Sequence, residues 1–314
     1  MASKYKMHHL PSRMDRTNIP EVLGKLSHIF DSAGRNITDI FLNFDNVRSI
    51  DITGVLVLYK FLEFSLNHNC YKNPRFNLLQ NKNLEQMIEK FGFSNLITKL
   101  MDNKTKEQYY KNLTTQVTED FILAPVAMIK DEDSTSQKEN ALKQIVNYYG
   151  NNDMSTMILQ LFSEIFQNFI SHAEKDDLSV IVVHGNKKKI ELACADNGIG
   201  IVNSLRKNSK YSSLKTDKLF CKVLERGVTS KDFEGSNHLG YGLFYVNEVV
   251  SRLNGQMSIY TDNMMLQNQH GKLSITQISR WEGTLISINI PLLQAITIDD
   301  IEPQYDNNIK INFS

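Results

Sequence analysis

The chain has 314 residues, and its 35 basic residues balance 35 acidic residues, so the formal net charge at pH 7 is zero. A chain of this length predicts two domains, each large enough to bury its own core. Binding to nucleic acid or to an acidic membrane needs an excess of positive charge, so the composition argues against both kinds of partner.

Cysteine usage and hydropathy predict a cytoplasmic protein without a membrane segment. Cys70, Cys194 and Cys221 lack the CxxC spacing of a zinc site, and their odd number favours reduced thiols over a disulfide framework. The polar N-terminus has no signal-peptide core. The longest apolar run, GVLVLY from Gly54, is too short to span a bilayer.

The first part of the chain predicts an α/β domain. Residues 1–35 are interpreted as an N-terminal segment, and residues 36–118 as the domain with its polar linker from residue 101. Within it, strand and helix patterns alternate: DIFLNF, GVLVLYKFLEFSLNHN, RFNLLQ and KNLEQMIEKFG. The last of these ends on Gly92, which is typical of a helix C-cap. Strands that alternate with helices are typical of an α/β domain.

The second part, residues 119–291, predicts an α+β two-layer sandwich. A strand, DFILAPVAMI, is followed by a charged turn, KDEDSTSQKEN, and then by two helices. The later strand patterns are LSVIVVHG, KIELACAD, QMSIYT, GKLSITQIS and GTLISINIP, with one more helix from Gly242 to Asn254. Helices that cluster apart from an antiparallel sheet indicate this fold class. Residues 292–314 are interpreted as a tail that forms a further strand or a partner-binding arm.

Three polar residues interrupt the otherwise apolar helix pattern LFSEIFQNFISHAE at residues 161–174. Glu164, Asn168 and His172 stand four residues apart and therefore form one polar stripe on a helix. Such a stripe indicates a ligand. The alternatives are that Glu164 is a solvated residue and that His172 satisfies carbonyl groups at a helix end.

Two glycine-containing segments add possible ligand contacts. In ACADNGIGI, Asp196 leaves a strand, and Gly198 and Gly200 allow the backbone to approach a flat ligand closely. In LGYGLF, Gly240 and Gly242 stand at the head of a predicted helix, where free N–H groups favour an anion. The alternatives are that Asp196 caps its own loop and that these glycines serve only as caps. Neither segment has the pattern of a Rossmann loop or a P-loop.

The order of these motifs, followed by Gly283-Thr284 on a late strand, resembles the GHKL superfamily of ATPases over residues 119–291. The resemblance implies that ATP and Mg²⁺ are bound. It implies that Asn168 is the metal ligand and that Glu164 is the general base. Asp196 would accept the exocyclic amine of adenine.

The same resemblance implies further contacts with the nucleotide. Gly198 and Gly200 would let the base pack on the backbone, with support from Thr284. Residues 203–239 would form a lid. The phosphates would meet the segment Gly240, Tyr241, Gly242 and Leu243, and Arg226 or Lys231 would add positive charge. His172 is assigned either a structural role or a place beside the phosphates.

Within this superfamily, SEIFQNFISHAE most resembles the anti-sigma-factor serine/threonine kinases. A histidine-kinase reading is set aside because LSHIFDSAG around His28 lacks the proline context of a phosphoacceptor helix. The first domain, with Asp51 and Gly54 on either side of Ile52 and Thr53, resembles a STAS domain, the fold of anti-anti-sigma factors. That resemblance makes Thr53 a possible phosphoacceptor. The alternative is that Thr53 only caps a helix.

Three functions follow as hypotheses. The first is an ATP- and Mg²⁺-binding regulatory protein with Ser/Thr kinase chemistry that signals through the STAS-like part. The second is an ATP-hydrolysing conformational switch without phosphotransfer. The third is an interaction module that holds ATP as part of its structure. A STAS or sigma-factor-like regulator is the expected protein partner, and a homodimer is a further expectation.

Overall fold

The computed structural model describes residues 6–35, 40–70, 75–76, 82–94, 98, 120–128, 133–172, 179–230 and 240–301. In the N-terminal half the strands are β1 (Lys6–His9), β2 (Arg13–Met14), β3 (Ile40–Asn43), β4 (Ser49–Ile50) and β5 (Arg75–Phe76). The helices there are α1 (Ile19–Leu26), a 3₁₀ helix (Ser27–Ser32), α2 (Ile52–Asn67) and α3 (Lys82–Lys90). β1, β3 and β5 form a parallel sheet in that order, and β2 pairs with β4. The α/β character agrees with the prediction, and the predicted N-terminal segment contributes a strand to the sheet.

The C-terminal half contains one antiparallel sheet in the order β6-β7-β8-β10-β9. Its strands are β6 (Phe121–Met128), β7 (Ser179–Gly185), β8 (Lys189–Ala195), β9 (Gln256–Gln269) and β10 (Lys272–Pro291). Its helices are α4 (Asp133–Tyr149), α5 (Asp153–His172), α6 (Ile201–Leu205), a 3₁₀ helix (Ser209–Tyr211), α7 (Thr216–Lys222), α8 (Gly242–Arg252) and α9 (Ile298–Ile301). The predicted antiparallel sheet with separately clustered helices is confirmed.

Helix α4 begins earlier than predicted. The segment interpreted as a charged turn is helical from Asp133 onwards. Lys138 stands four, seven and eleven residues before Leu142, Ile145 and Tyr149, so it continues the side of the helix that carries these partly or fully buried residues. The segment was interpreted as a turn because its many charged residues outnumber the apolar residues of this helical pattern.

Two further boundaries differ from the prediction. The three late strand patterns are two long strands, β9 and β10, joined at His270 and Gly271. Both of these residues have positive φ, 55° and 83°, as a two-residue hairpin of this kind requires. The described part of the tail forms the short helix α9 rather than a strand.

The centre of the antiparallel sheet, strands β7 and β8, is buried on both faces. All seven positions of β7 are buried. Because side chains alternate along a strand, Ile181 and Val183 pack with α4, α5 and α8, whereas Val180 and Val182 pack with the N-terminal half. The N-terminal half and the second face of the sheet therefore share one hydrophobic core. The predicted two-layer sandwich carries a third layer.

Helix α2 forms the centre of that third layer. Every residue from Ile52 to Ser65 is buried, which explains a largely apolar sequence whose two charged residues, Lys60 and Glu63, form a buried ion pair. Asp51 caps the helix by accepting a hydrogen bond from the Gly54 N–H at 3.0 Å. A Cβ atom at Gly54 would lie only 1.6 Å from the Met14 carbonyl oxygen, so this approach requires glycine.

Polar contacts join the two halves of the chain beside this core. Asp51 also accepts a hydrogen bond from the Arg16 backbone N–H at 2.9 Å, and the Arg16 guanidinium lies 3.1 Å from a Glu191 carboxylate oxygen. Burial raises the pKa of Asp51 to about 6, against the lowering effect of these hydrogen bonds. Cys70, Cys194 and Cys221 are free thiols, as predicted. None of the helices in the described ranges is both long and apolar enough to cross a membrane.

Candidate functional site

The polar stripe of α5 faces a cavity of about 340 Å³. Glu164 and Asn168, one helical turn apart, both line it. Asp196, after the end of β8, and Thr284 of β10 also line it. A volume of this size lies in the range typical of small-molecule sites. The structure therefore brings these four predicted residues together.

Backbone hydrogen bonds hold the Asp196 carboxylate in the wall of the cavity. It is 4% exposed, and its Oδ1 atom accepts hydrogen bonds from the backbone N–H groups of Gly198 at 2.7 Å and Thr284 at 3.2 Å. The Asp196 N–H in turn donates to the Thr284 carbonyl oxygen at 2.9 Å. These backbone contacts fix the direction of the carboxylate. They explain why an acid stands where strand β8 ends.

Glycine is required on this side of the cavity by two close approaches. Gly283 has a φ of 87°, and a Cβ atom there would lie 2.4 Å from Asp196 Oδ1. Gly200 has a φ of 80°, and its Cβ atom would lie 2.5 Å from Thr261 Oγ1. Thr261 donates a hydrogen bond to the Gly283 carbonyl oxygen at 2.9 Å. This supporting role of Thr261 was not predicted, because a threonine on a strand is unremarkable in sequence.

The start of α8 lines the cavity beside Glu164 and Asn168. A Cβ atom at Gly242 would lie 2.6 Å from Glu164 Oε2 and 3.4 Å from Asn168 Nδ2. The Glu164 carboxylate is therefore close to the positive end of a helix of 11 residues. Tyr241 and the buried Leu243 also line the cavity.

Glu164 is half-buried, and burial raises its pKa above the ordinary value for glutamate. The positive charge of Lys138 opposes that rise. Lys138 lines the same cavity from α4. It was not predicted as a site residue, because it lies in the segment interpreted as a turn. The helical spacing of Lys138 with the buried side of α4 was the signal that could have revealed it.

The described part of the predicted lid reaches the start of α8. The Gly227 N–H donates to the Gly240 carbonyl oxygen at 3.1 Å, and a Cβ atom at Gly240 would lie 2.7 Å from the backbone of Val228. The Arg226 guanidinium lies over the Tyr241 ring, 4.8 Å from its centroid. Lys231, also predicted here, lies outside the described residues.

The described residues that line the cavity do not include Gly198, Gly200, His172 or Thr53, all of which were predicted as site residues. His172 ends α5, but its side chain lies outside the described part of the chain, so its role stays a prediction. Thr53 is 2% exposed, and its hydroxyl group shares a hydrogen bond of 2.8 Å with that of Ser287. Ser287 faces away from the cavity, since its neighbour Ile286 lines it. The Thr53 hydroxyl group is therefore buried in this arrangement, and its role as a phosphoacceptor stays a prediction.

Residues 154–294 match the family model described as histidine kinase-, DNA gyrase B-, and HSP90-like ATPase. This stretch is a GHKL-type ATPase domain. The match contains every cavity residue described above except Lys138. A search of curated proteins gives no match. The family supports ATP binding by the GHKL-type domain.

The residues of the GHKL-type domain fit a Mg²⁺–nucleotide complex. The Asn168 side chain lines the cavity, and its Nδ2 atom is buried without a hydrogen-bond partner among the described residues. Within the same residues there is no group of three or more His, Cys, Asp or Glu side chains that could hold a metal ion. Mg²⁺ needs no such group, because it keeps several waters and takes few protein ligands when phosphates are present. The Asn168 amide oxygen would be the protein ligand.

Proposed function

We propose that this protein is a regulatory protein that binds ATP with Mg²⁺ in the cavity and transfers the γ-phosphate to a hydroxyl group of a protein partner. The observation that supports this most is the placement of Glu164. Its carboxylate lies against Gly242 at the head of α8, one turn from Asn168, in a cavity that Asp196 also lines. The Asp196 carboxylate suits the adenine base of a nucleotide, and the positive terminus of α8 suits its phosphate chain.

Asp196 would select adenine. Its Oδ1 atom is already engaged by two backbone N–H groups, and its carboxylate can only accept hydrogen bonds when it is ionised. The exocyclic amine of adenine is a donor and suits this acceptor. The carbonyl group of guanine at the same place would meet repulsion.

Glu164 would be the general base. The incoming hydroxyl oxygen forms a bond to the γ-phosphorus while the bond from that phosphorus to the β,γ-bridging oxygen breaks, and ADP leaves. The hydroxyl proton passes to the Glu164 carboxylate, whose pKa is raised by burial and therefore closer to neutral pH. When bound, Mg²⁺ would neutralise charge on the phosphates.

The acceptor would belong to another molecule. Thr53, the only acceptor suggested by the resemblance, is buried on the far side of the sheet. The sequence resemblance to anti-sigma-factor kinases favours a STAS or sigma-factor-like regulator as the partner. The N-terminal half, with its parallel strands β1, β3 and β5, would serve as the STAS-like interaction part.

An ATP-hydrolysing switch is the second candidate. The observation in its favour is the burial of Thr53, because hydrolysis needs only water as the acceptor. The contact between Gly227 and Gly240 would then couple the lid to the state of the nucleotide. A module that holds ATP without turnover would use the same cavity.

Incubation with Mg²⁺ and ATP labelled in the γ-phosphate tests the proposal. Label on a STAS-type partner protein, lost in Glu164→Gln and retained in the exposed control Glu139→Gln, is the expected result. Steady release of free phosphate without labelled protein would favour the switch. Bound ATP that is neither hydrolysed nor transferred would favour the interaction module that holds ATP without turnover. Asp196→Asn should abolish the stabilisation that ATP gives in a thermal unfolding assay.

A further inference from the structure

Lys138 is the only lysine or arginine among the described residues that line the cavity. Its side chain is half-exposed, and it makes no hydrogen bond or ion pair with any residue in the described ranges. The cavity also contains two acids, Glu164 and Asp196. A bound triphosphate would add several negative charges to this surface, so a positive group is needed close to it.

The location of Lys138 points to one end of the nucleotide. Its charge acts on Glu164, whose carboxylate lies beside Gly242 at the start of α8. Helix α4 also packs beside α5, which carries Glu164. Lys138 therefore belongs to the end of the cavity where the phosphates would lie.

We propose that the Lys138 ammonium group binds the terminal phosphate of the nucleotide, so that the cavity selects a triphosphate over a diphosphate. This inference rests on the proposed function, because it requires an adenine nucleotide in the cavity. The positive helix terminus at Gly242 and the ammonium group of Lys138 would hold the terminal phosphate from different elements, α8 and α4. A diphosphate lacks the terminal phosphate that Lys138 would contact, so the charge of Lys138 does not strengthen its binding.

Calorimetric titration with a non-hydrolysable ATP analogue and with ADP, both in the presence of Mg²⁺, tests this assignment. Lys138→Met keeps a long side chain and removes the charge. This change should lower the affinity for the triphosphate analogue by roughly tenfold to a hundredfold. The affinity for ADP should change by no more than about twofold. Lys138→Arg should retain most of the preference. Lys143→Met removes the same charge from an exposed position of α4 and should leave both affinities unchanged.

Three results would overturn the assignment. The first is an equal loss for both nucleotides in Lys138→Met, and the second is no loss at all. The third is a loss that disappears in the Glu164→Gln background, since Lys138 would then act only through Glu164. If the unaltered protein binds neither nucleotide, the proposed function itself fails. If it binds both and Lys138→Met keeps the triphosphate preference, only this inference fails.

Discussion

Thr53 of α2 and Ser287 of β10 share a buried hydrogen bond of 2.8 Å, although 234 positions separate them in the chain. Thr53 stands in the first turn of the helix that forms the third layer, and Ser287 stands three residues after Thr284 of the cavity. The bond therefore joins the N-terminal half to the strand that supports the candidate nucleotide site. It gives that contact a definite register, which apolar packing alone does not provide.

Removing both hydroxyl groups should destabilise the protein by less than the sum of the two single losses. Thr53→Val and Ser287→Ala each leave the other hydroxyl group buried without a partner, at a cost of about 1–3 kcal/mol in the free energy of unfolding. The double variant leaves neither group unpaired, so its loss should be smaller than the sum by about 1 kcal/mol or more. Denaturant unfolding measures the cycle. Strictly additive losses would show that the bond does not join the two halves.

Two glycine-to-alanine changes should affect stability in opposite directions. A Cβ atom at Gly54 would meet the Met14 carbonyl oxygen at 1.6 Å, so Gly54→Ala should lower the free energy of unfolding by about 3 kcal/mol or more. At Gly24, an exposed position of helix α1, the nearest atom is Ser279 Oγ at 3.8 Å. Gly24→Ala should therefore raise the free energy of unfolding by about 0.5–1 kcal/mol. A tolerated Gly54→Ala would contradict the packing of α2 against β2.

Gly242→Ala should impair turnover without unfolding the domain. The new Cβ atom would lie 2.6 Å from Glu164 Oε2, the flexible end of a side chain, so the carboxylate must move and the fold need not. Phosphate transfer or release should fall by about tenfold or more, because the base is displaced from its position. The free energy of unfolding should change by less than about 1 kcal/mol. Unchanged turnover would remove Glu164 from the catalytic position.

Glu191 should make the protein sensitive to acid. Burial alone would raise the pKa of Glu191, but hydrogen bonds from His184 and Lys189 and the charges of Lys189 and Arg16 outweigh burial and lower it to about 2. Since the pKa is lower in the folded state than in the unfolded chain, this stability is present above pH 4.5 and is lost as the pH falls from there towards 2.

The size of the effect follows from the shift in the pKa of Glu191, and corresponds to about 3 kcal/mol across that window. Glu191→Gln should abolish this part of the pH dependence, as measured by urea unfolding between pH 2 and pH 5. Asp51 faces the same cluster, and with a pKa of about 6 it is already protonated in the folded protein over this range. Parallel pH curves for both proteins would contradict the role of Glu191.

The residues of the candidate site were accessible to sequence reasoning because their signals are local. Glu164 and Asn168 share a helix face at a spacing of four, and Asp196 directly follows a strand. Gly242 was predicted to head a helix, and the structure begins α8 there. Lys138 was missed because its charged neighbours suggested a turn, and Thr261 because its role depends on Gly283, 22 residues away.

The sequence by itself determined the type of most elements, the antiparallel sheet and the motif order of the ATPase domain, because hydrophobic periodicity and capping act over a few residues. Only the tertiary structure decided that the N-terminal half covers the second face of the sheet, that Thr53 is buried against Ser287, and that Lys138 reaches the cavity of Glu164. These relationships join residues far apart in the chain. A pattern shows that a face is apolar, but not which other face covers it.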